Sequence, residues 1–235
     1  GFGLDKYVVE PKLSESTFEF LASDMISTNY DVISNIERPY SKEGGLKLLG
    51  GILGDSIIKT SALKEENLYI KAPAMIFHSQ EELLTAFINK ELEKDFIAVV
   101  CYQGPKANGM PELHKLMPPL GVLQEKGFKV AIITDGRMSG ASGKVPSAIH
   151  LSPEAYEGGL ISKIRNDDMI EFDVENGIIK VFVENDELSK RENQKIDLQS
   201  NRFGLGRELF VNFRASISSA KEGATTFKLV GEENL

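Results

Sequence analysis

The chain has 235 residues, 41% of them hydrophobic, which is enough apolar material for one large core or two small ones. Its 27 Lys and Arg against 35 Asp and Glu leave a formal charge of -8, which argues against a general nucleic-acid binder because such a protein needs a basic face. No apolar run approaches the ~20 residues of a membrane span, no secretory leader stands at the N-terminus, and the single cysteine, Cys101, excludes an internal disulfide. A cytoplasmic location is the expectation. The chain starts at Gly1 rather than Met and is expected to be a piece of something longer.

Residues 1–35 are mixed, with the alternating Phe18 and Phe20 suggesting a short strand. A loop over 39–45 leads to short apolar pieces between glycines, Gly44 to Gly51 and Gly54 to Leu63, which read as strands. Asn67 to Phe77 adds further extended pieces on either side of Pro73. No helical periodicity precedes Ser79, so the first third is expected to be mainly β. Ser79 and Glu82 form a Ser-x-x-Glu capping pattern, and Leu83, Leu84, Phe87, Ile88 and Leu92 follow at helical spacing. Phe96 to Cys101 then reads as a buried strand that empties into a Gly- and Pro-rich loop, QGPKANGMP, residues 103–111. Pro111 fits the first position of a helix running through Glu112, Leu113 and Leu116, which Pro118 and Pro119 should interrupt before Leu120 to Lys126 resumes it.

Phe128 to Ile133 is a second buried-strand run, followed by TDGRMSGASGKVPSAIH, residues 134–150. Gly136, Gly140 and Gly143 permit turns closed to other residues. Between them, Asp135, Arg137, Ser139, Ser142 and Lys144 place a carboxylate, a guanidinium, two hydroxyls and an ammonium at the end of a strand. That set suits an anionic, hydroxyl-bearing small molecule; the plainer reading is a polar loop that caps its neighbours. A nucleotide phosphate loop is excluded, because Val145 follows Lys144 where Ser or Thr is needed and Met138 stands where the first glycine is needed. If the two apolar strands are parallel neighbours, both loops lie at one end of a sheet, where ligands commonly bind.

Further on, Ser152-Pro153-Glu154 signals a short helix. Asp168 to Val174 and Gly177 to Glu184 read as strands joined by the hairpin signal Glu175-Asn176-Gly177. Asp186 to Ser200 is polar and partly helical. Leu205 to Ala220 carries Leu209, Phe210, Phe213 and Ile217 at helical spacing, with Gly223 as a stop.

The pieces ELEKDF (91–96), QGPKANGMPELHKL (103–116), the 134–150 stretch continued through Pro153-Glu154-Ala155, GRELF (206–210) and Ser218-Ser219-Ala220 carry a resemblance. Over nearly its whole length the chain is similar to the C-terminal domain of the dehydratase family that includes dihydroxy-acid and 6-phosphogluconate dehydratases. Met138 and Ala141-Ser142-Gly143-Lys144 resemble the 6-phosphogluconate branch; the other branches usually have Gly-Arg-Phe-Ser-Gly-Gly here. The resemblance implies a β-rich α/β fold, a swivelling β/β/α barrel-like domain with flanking helices. Residues 1–235 would form one C-terminal domain, with the N-terminal iron–sulfur domain outside this chain. The implied reaction removes the C2 proton and C3 hydroxyl of a 2,3-dihydroxy acid, here 6-phosphogluconate, and the enol becomes a 2-keto-3-deoxy acid. The implied cofactors are an iron–sulfur cluster of the 4Fe–4S kind, with no ligand on this chain, and a divalent metal, magnesium. The complete enzyme is expected to be a homodimer, and the isolated chain to be inactive.

On the same resemblance, Ser139 matches the C2 base and Glu112 a carboxylate offered to the divalent metal. Arg137, Lys144, Ser142, Lys106 and Asn108 are candidates for holding the substrate's carboxylate or phosphate. From the residues alone, Ser139 can equally be a turn hydroxyl, Glu112 a first-turn helix acid and each Lys a solvated charge. Glu112 and Ser139 are expected to converge on one cavity. His114 is expected to pack in its helix. Cys101, standing where members of that family often have Arg, is expected to be a buried strand-end thiol. His78 and His150 have no partner visible in the sequence. Two other functions stay open: a dehydratase for another sugar acid or dihydroxy acid, and a non-catalytic anion-binding module.

Overall fold

The computed structural model describes residues 9–22, 27–35, 37–139 and 143–227. The chain forms two compact units, Gly1–Gly44 and Gly45–Leu235. In the first, β1 (Val9–Ser14) and β2 (Thr17–Ala22) make an antiparallel hairpin, with Leu13 opposite Phe18 and Pro11 opposite Phe20. The strand suggested by Phe18 and Phe20 is therefore present, and both rings are exposed.

The second unit is a mixed α/β domain with an eight-stranded, nearly closed barrel-like sheet and few flanking helices, as expected. Its strands are β3 (Leu46–Leu49), β4 (Asp55–Lys59), β5 (Tyr69–Phe77), β6 (Phe96–Val100), β7 (Val130–Thr134), β8 (Ser147–Ser152), β9 (Met169–Asp173) and β10 (Ile178–Val181). They lie in the order β10-β9-β5-β6-β7-β8-β4-β3, with β5 through β8 parallel to one another and the outer pairs antiparallel.

The two sequence runs that look continuously apolar are β6 and β7, and every residue in both is buried. Alternation along β6 explains why. Ile97 and Val99 face one core with Ile58, Ile70, Ile133 and Phe172, while Phe96, Ala98 and Val100 face a second core with Leu83, Leu116 and Leu120. Helices α1 (Gln80–Ile88) and α3 (Met117–Glu125) cover that second face. The Ser79 hydroxyl accepts from the Glu82 amide and caps α1, whereas the Glu82 carboxylate turns back to the His78 amide, so the capping is one-sided. Of the expected stripe, Leu83 and Leu92 are buried and Ile88 is exposed.

Several expectations are corrected. Pro73 does not divide two strands; β5 runs unbroken through it. Pro73 stands where β5 changes partner, pairing with antiparallel β9 as far as this residue and with parallel β6 from Ala74 onward. Pro118 and Pro119 do not interrupt a helix; they open α3, at positions where a missing N–H costs nothing. No helix starts at Pro111. The helix expected after Ser152 is one 3-10 turn, Ala155–Glu157. The helix expected over 205–220 is a 3-10 turn, Arg207–Phe210, running into α5 (Val211–Ser216), and Gly223 ends a later 3-10 turn instead. Leu205, Leu209, Phe210 and Phe213 are exposed on it. The hairpin at Glu175-Asn176-Gly177 is as expected, with β10 ending at Val181 and Gly177 at φ 70°. Two short helices, α2 (Pro105–Asn108) and α4 (Asn185–Lys190), complete the unit, and no described helix is long and apolar enough to cross a membrane.

A single residue after β3 brings the sheet's two ends together. The Gly50 amide donates to the Gly177 carbonyl at 2.9 Å, and the Ile179 amide donates to the Gly50 carbonyl at 2.8 Å. The next residue, Gly51, has no room for a side chain, since a Cβ would lie 2.0 Å from the Ile179 carbonyl oxygen. Gly51→Ala should therefore force the seam apart and lower the unfolding free energy by roughly 2–4 kcal/mol. Gly121→Ala, in α3 where a Cβ meets nothing within 4 Å, should be neutral or slightly stabilising. Urea unfolding of both variants is the check, and equal midpoints would refute the seam's importance.

Candidate active site

β6 and β7 are parallel neighbours, so the loops that follow them lie at one end of the sheet. Asp135 holds those loops together. It is fully buried, and its carboxylate accepts from the Tyr102 amide at 3.1 Å, the Gln103 amide at 2.8 Å and the Ala155 amide at 2.9 Å. Burial pushes this carboxyl up to about 6, against the pull of the three N–H donors toward the charged form. Gly136 follows, packed so closely that a Cβ would sit 2.7 Å from Gln103 Cβ and 2.8 Å from Leu113 Cδ1. Glu154 makes a parallel tie, accepting from the Lys106 and Ala107 amides at 3.0 and 3.2 Å, and burial pushes it up to about 7. Asp135 is thus spent inside the protein and does not face a ligand.

Beyond Gly136 the chain turns outward. Arg137 and Glu112 form an isolated parallel bridge, and the Leu113 amide donates to the Arg137 carbonyl. The Arg137 guanidinium donates through Nη1 to Glu112 Oε2 at 2.9 Å and through Nε to the Met110 carbonyl at 2.9 Å. The Ser139 amide donates to Glu112 Oε1 at 2.7 Å. Glu112 and Ser139 therefore meet directly, and Glu112 is a loop carboxylate rather than a first-turn helix acid. Ser139 lines a cavity of about 230 Å³ together with Lys59, Gly143, His150 and the apolar Leu46, Ile57 and Val145. Glu112 is not among the residues of that cavity wall.

The remaining candidates are dispersed. Asn108 donates its amide to Gln103 Oε1 at 2.9 Å. Lys106 pairs with Glu157 and lines a different cavity, with Arg202 and Arg214. Lys144 is exposed over a third cavity, with Met117 and Glu125, which shares Val145 with the Ser139 cavity. Ser142 lies outside the described residues. Cys101 is buried, with Sγ 3.2 Å from Gln194 Oε1. His78 bonds the same Gln194 through Nε2. His114, expected to pack, is exposed.

Two cavity residues were not singled out as candidates from the sequence, Lys59 and His150. Lys59 ends β4 and His150 lies in β8, and only the pairing of β4 with β8 brings them beside the loop. That pairing is irregular: Asp55 faces Ser152 but Ile57 faces Ile149, so β8 holds one extra residue there. His150 has a left-handed φ of 58°. Burial and the nearby Arg137 charge hold its imidazole below the ordinary histidine range.

Residues 31–224 match the family model described as the dihydroxy-acid/6-phosphogluconate dehydratase C-terminal domain. The chain belongs to this family. It is 50% identical over 225 residues to a phosphogluconate dehydratase of Escherichia coli strain K12, covering 96% of this chain and 37% of that protein. It is 48% identical to the Pseudomonas aeruginosa phosphogluconate dehydratase, covering 97% and 37%. A dihydroxy-acid dehydratase of Carboxydothermus hydrogenoformans is 35% identical, covering 86% and 36%. The chain thus spans little more than a third of the length of these curated relatives.

The cofactors that the resemblance implies can be set against the residues present. An iron–sulfur cluster needs several thiolates; Cys101 is the only cysteine in the sequence, faces the interior, and is held protonated by burial. This chain's residues do not fit a cluster. For a divalent cation, no group of three His, Cys, Asp or Glu is gathered among the described residues. Glu112 fits the role of one carboxylate ligand in a set completed from elsewhere, since each of its oxygens accepts a single bond from Arg137 or Ser139 and keeps a lone pair.

The Asp135 clamp has a pH signature. Its native carboxyl titrates higher than in the unfolded chain, so the native state keeps a proton that the unfolded state has released, and stability falls as pH rises through the window from about 4 to about 6. Asp135→Asn cannot titrate. Wild type should be the more stable of the two near pH 4, and its advantage should shrink by on the order of 3 kcal/mol by pH 7. Urea unfolding at several pH values measures this. An advantage that grows with pH would mean that the three N–H donors outweigh burial.

Proposed function

We propose that this chain is the C-terminal part of a phosphogluconate dehydratase, a hydro-lyase converting 6-phospho-D-gluconate to 2-dehydro-3-deoxy-6-phosphogluconate in the Entner–Doudoroff pathway. The observation that carries the reading is the contact of Glu112, Arg137 and Ser139, built from two separate loops beside one cavity, on a chain about half identical to phosphogluconate dehydratases. Residues 1–235 act as the C-terminal domain. The rest of the enzyme supplies the iron–sulfur cluster, of the 4Fe–4S kind, and the other ligands of a divalent metal, magnesium. The complete enzyme is a cytoplasmic homodimer.

When bound, those cofactors supply Lewis acidity toward the leaving hydroxyl and the substrate carboxylate. In this reading the chain's own residues do the following. Ser139 takes the C2 proton. A serine hydroxyl is a weak base unless positive charge or a second base assists it, and Lys59 and Arg137 bring positive charge to this loop. Glu112 fixes the Ser139 backbone through its amide and keeps Arg137 in place, and it offers its spare lone pairs to the metal. Arg137 and Ser142 meet the substrate's acid end. Lys144, one wall removed from the Ser139 cavity across Val145, takes the phosphate. Lys106 and Asn108 shape the neighbouring loop, and a direct substrate contact from either requires their present partners Glu157 and Gln103 to release them. A dehydratase for another sugar acid would use the same Ser139 and Glu112 and differ at the phosphate.

The purified 235-residue chain should fold yet show no turnover of 6-phosphogluconate, because it cannot hold a cluster. In the complete enzyme, Ser139→Ala should lower kcat by about 100-fold or more without changing Tm. Turnover by the chain alone at the complete enzyme's rate, or full activity of the Ser139 variant, would overturn the reading.

Substrate choice is tested at Lys144. Lys144→Ala in the complete enzyme should cost roughly 1.5–3 kcal/mol in the specificity constant for 6-phosphogluconate, the value of one charge-assisted contact, and much less for gluconate. Equal losses on both substrates would assign Lys144 to the carboxylate instead.

A further inference from the structure

We propose that His150 is a catalytic residue of the Ser139 cavity, the group that accepts the Ser139 proton and passes it to the departing hydroxyl. This inference rests on the dehydratase reading and adds to it the proton acceptor that a serine base needs.

Three geometric facts point to His150. First, the extra residue in β8 opposite β4 interrupts a ladder that would otherwise continue regularly, and bulges of this kind re-aim a side chain. Second, His150 itself adopts the left-handed backbone, φ 58°, which non-glycine residues seldom do outside turns and functional sites. Third, the half-buried imidazole lines the same cavity as Ser139. Among the described residues neither ring nitrogen has a protein hydrogen-bond partner, in contrast to His78, whose ring meets Gln194 and Glu82. Its backbone is anchored to the Ser139 loop, with the His150 amide donating to the Gly136 carbonyl at 2.9 Å. A half-buried imidazole held below the ordinary histidine range, beside a cationic Arg137, is a proton acceptor at neutral pH.

The step balances without a further reactant. Ser139 Oγ takes the C2 proton as its own proton moves to a ring nitrogen of His150. The C2–H electron pair becomes the C2–C3 double bond, and the C3–O bond breaks with its pair going to oxygen. The imidazolium then returns its proton to that oxygen, which leaves as water. Ser139 and His150 end as they began, and the product is the enol.

The test uses the complete enzyme with 6-phosphogluconate and related sugar acids. His150→Asn keeps a residue that tolerates the left-handed backbone but cannot carry a proton. His150→Gly also tolerates it and leaves room for free imidazole. Both variants should lose kcat by about 100-fold or more with unchanged Tm and little change in KM, and imidazole in solution should restore part of the kcat of the glycine variant alone. A kcat near wild type in either variant, or a loss confined to KM, would overturn the proposal while leaving the dehydratase reading intact. A wild-type enzyme that dehydrates none of these acids would instead overturn the dehydratase reading, and this inference with it.

Discussion

The geometry at the end of the sheet where the candidate site lies hangs on one buried carboxylate. Asp135 sits where β7 ends and receives three backbone amides from two other segments, one following β6 and one following β8. A loop amide taken out of water must find an acceptor, and here three of them share one side chain. Gly136, Arg137 and Ser139 come next in the chain, so their positions are inherited from that clamp. A hydroxyl or amide at 135 would meet part of this demand but not all of it, because a carboxyl offers two acceptor oxygens and, once ionised above about 6, no donor.

The second tie, Glu154, repeats the arrangement one loop over by receiving the Lys106 and Ala107 amides. Two acids that composition would assign to the solvated surface are therefore interior acceptors. They explain why an acidic chain can present a locally cationic loop. Asp135 and Glu154 are turned inward, and Glu112 is matched by Arg137. The result is a site whose rigidity comes from backbone amides and whose chemistry comes from the few side chains left over.

Much of this was legible in the sequence, and the failures have physical causes. The runs that became β6 and β7 were plain because burial on both faces leaves no polar position. The Glu175-Asn176-Gly177 hairpin was plain because turn chemistry is local. Pro73 reads as a divider in the sequence, because the change of partner along β5 depends on which strands lie beside it, a tertiary fact. Pro118 and Pro119 read as breakers in the sequence and are starters in the fold; the same ring serves both roles, and what precedes it decides. The apolar spacing of Leu209 and Phe213 was visible, but spacing does not say whether a face is covered, and these side chains are exposed. At the site, the meeting of Glu112 and Ser139 is readable from two loops that follow neighbouring buried strands, whereas the roles given to them rest on family likeness. Lys59 and His150 cannot be joined to the site from the sequence, because they belong to strands that reach the loop through the order β7-β8-β4.

The seam at Gly50 has a bearing on how the domain is assembled. The bridge joins Gly50 to Ile178, across more than half of the chain, so the loop it closes is among the costliest in entropy that the fold contains. Such a contact adds little until β5, β9 and β10 have already condensed around the parallel centre, because only then are its two partners held within reach. During synthesis, Gly50 cannot meet its partner until Ile178 has emerged, and until then the side of β3 away from β4 is an uncovered strand edge, open to pairing with a neighbour.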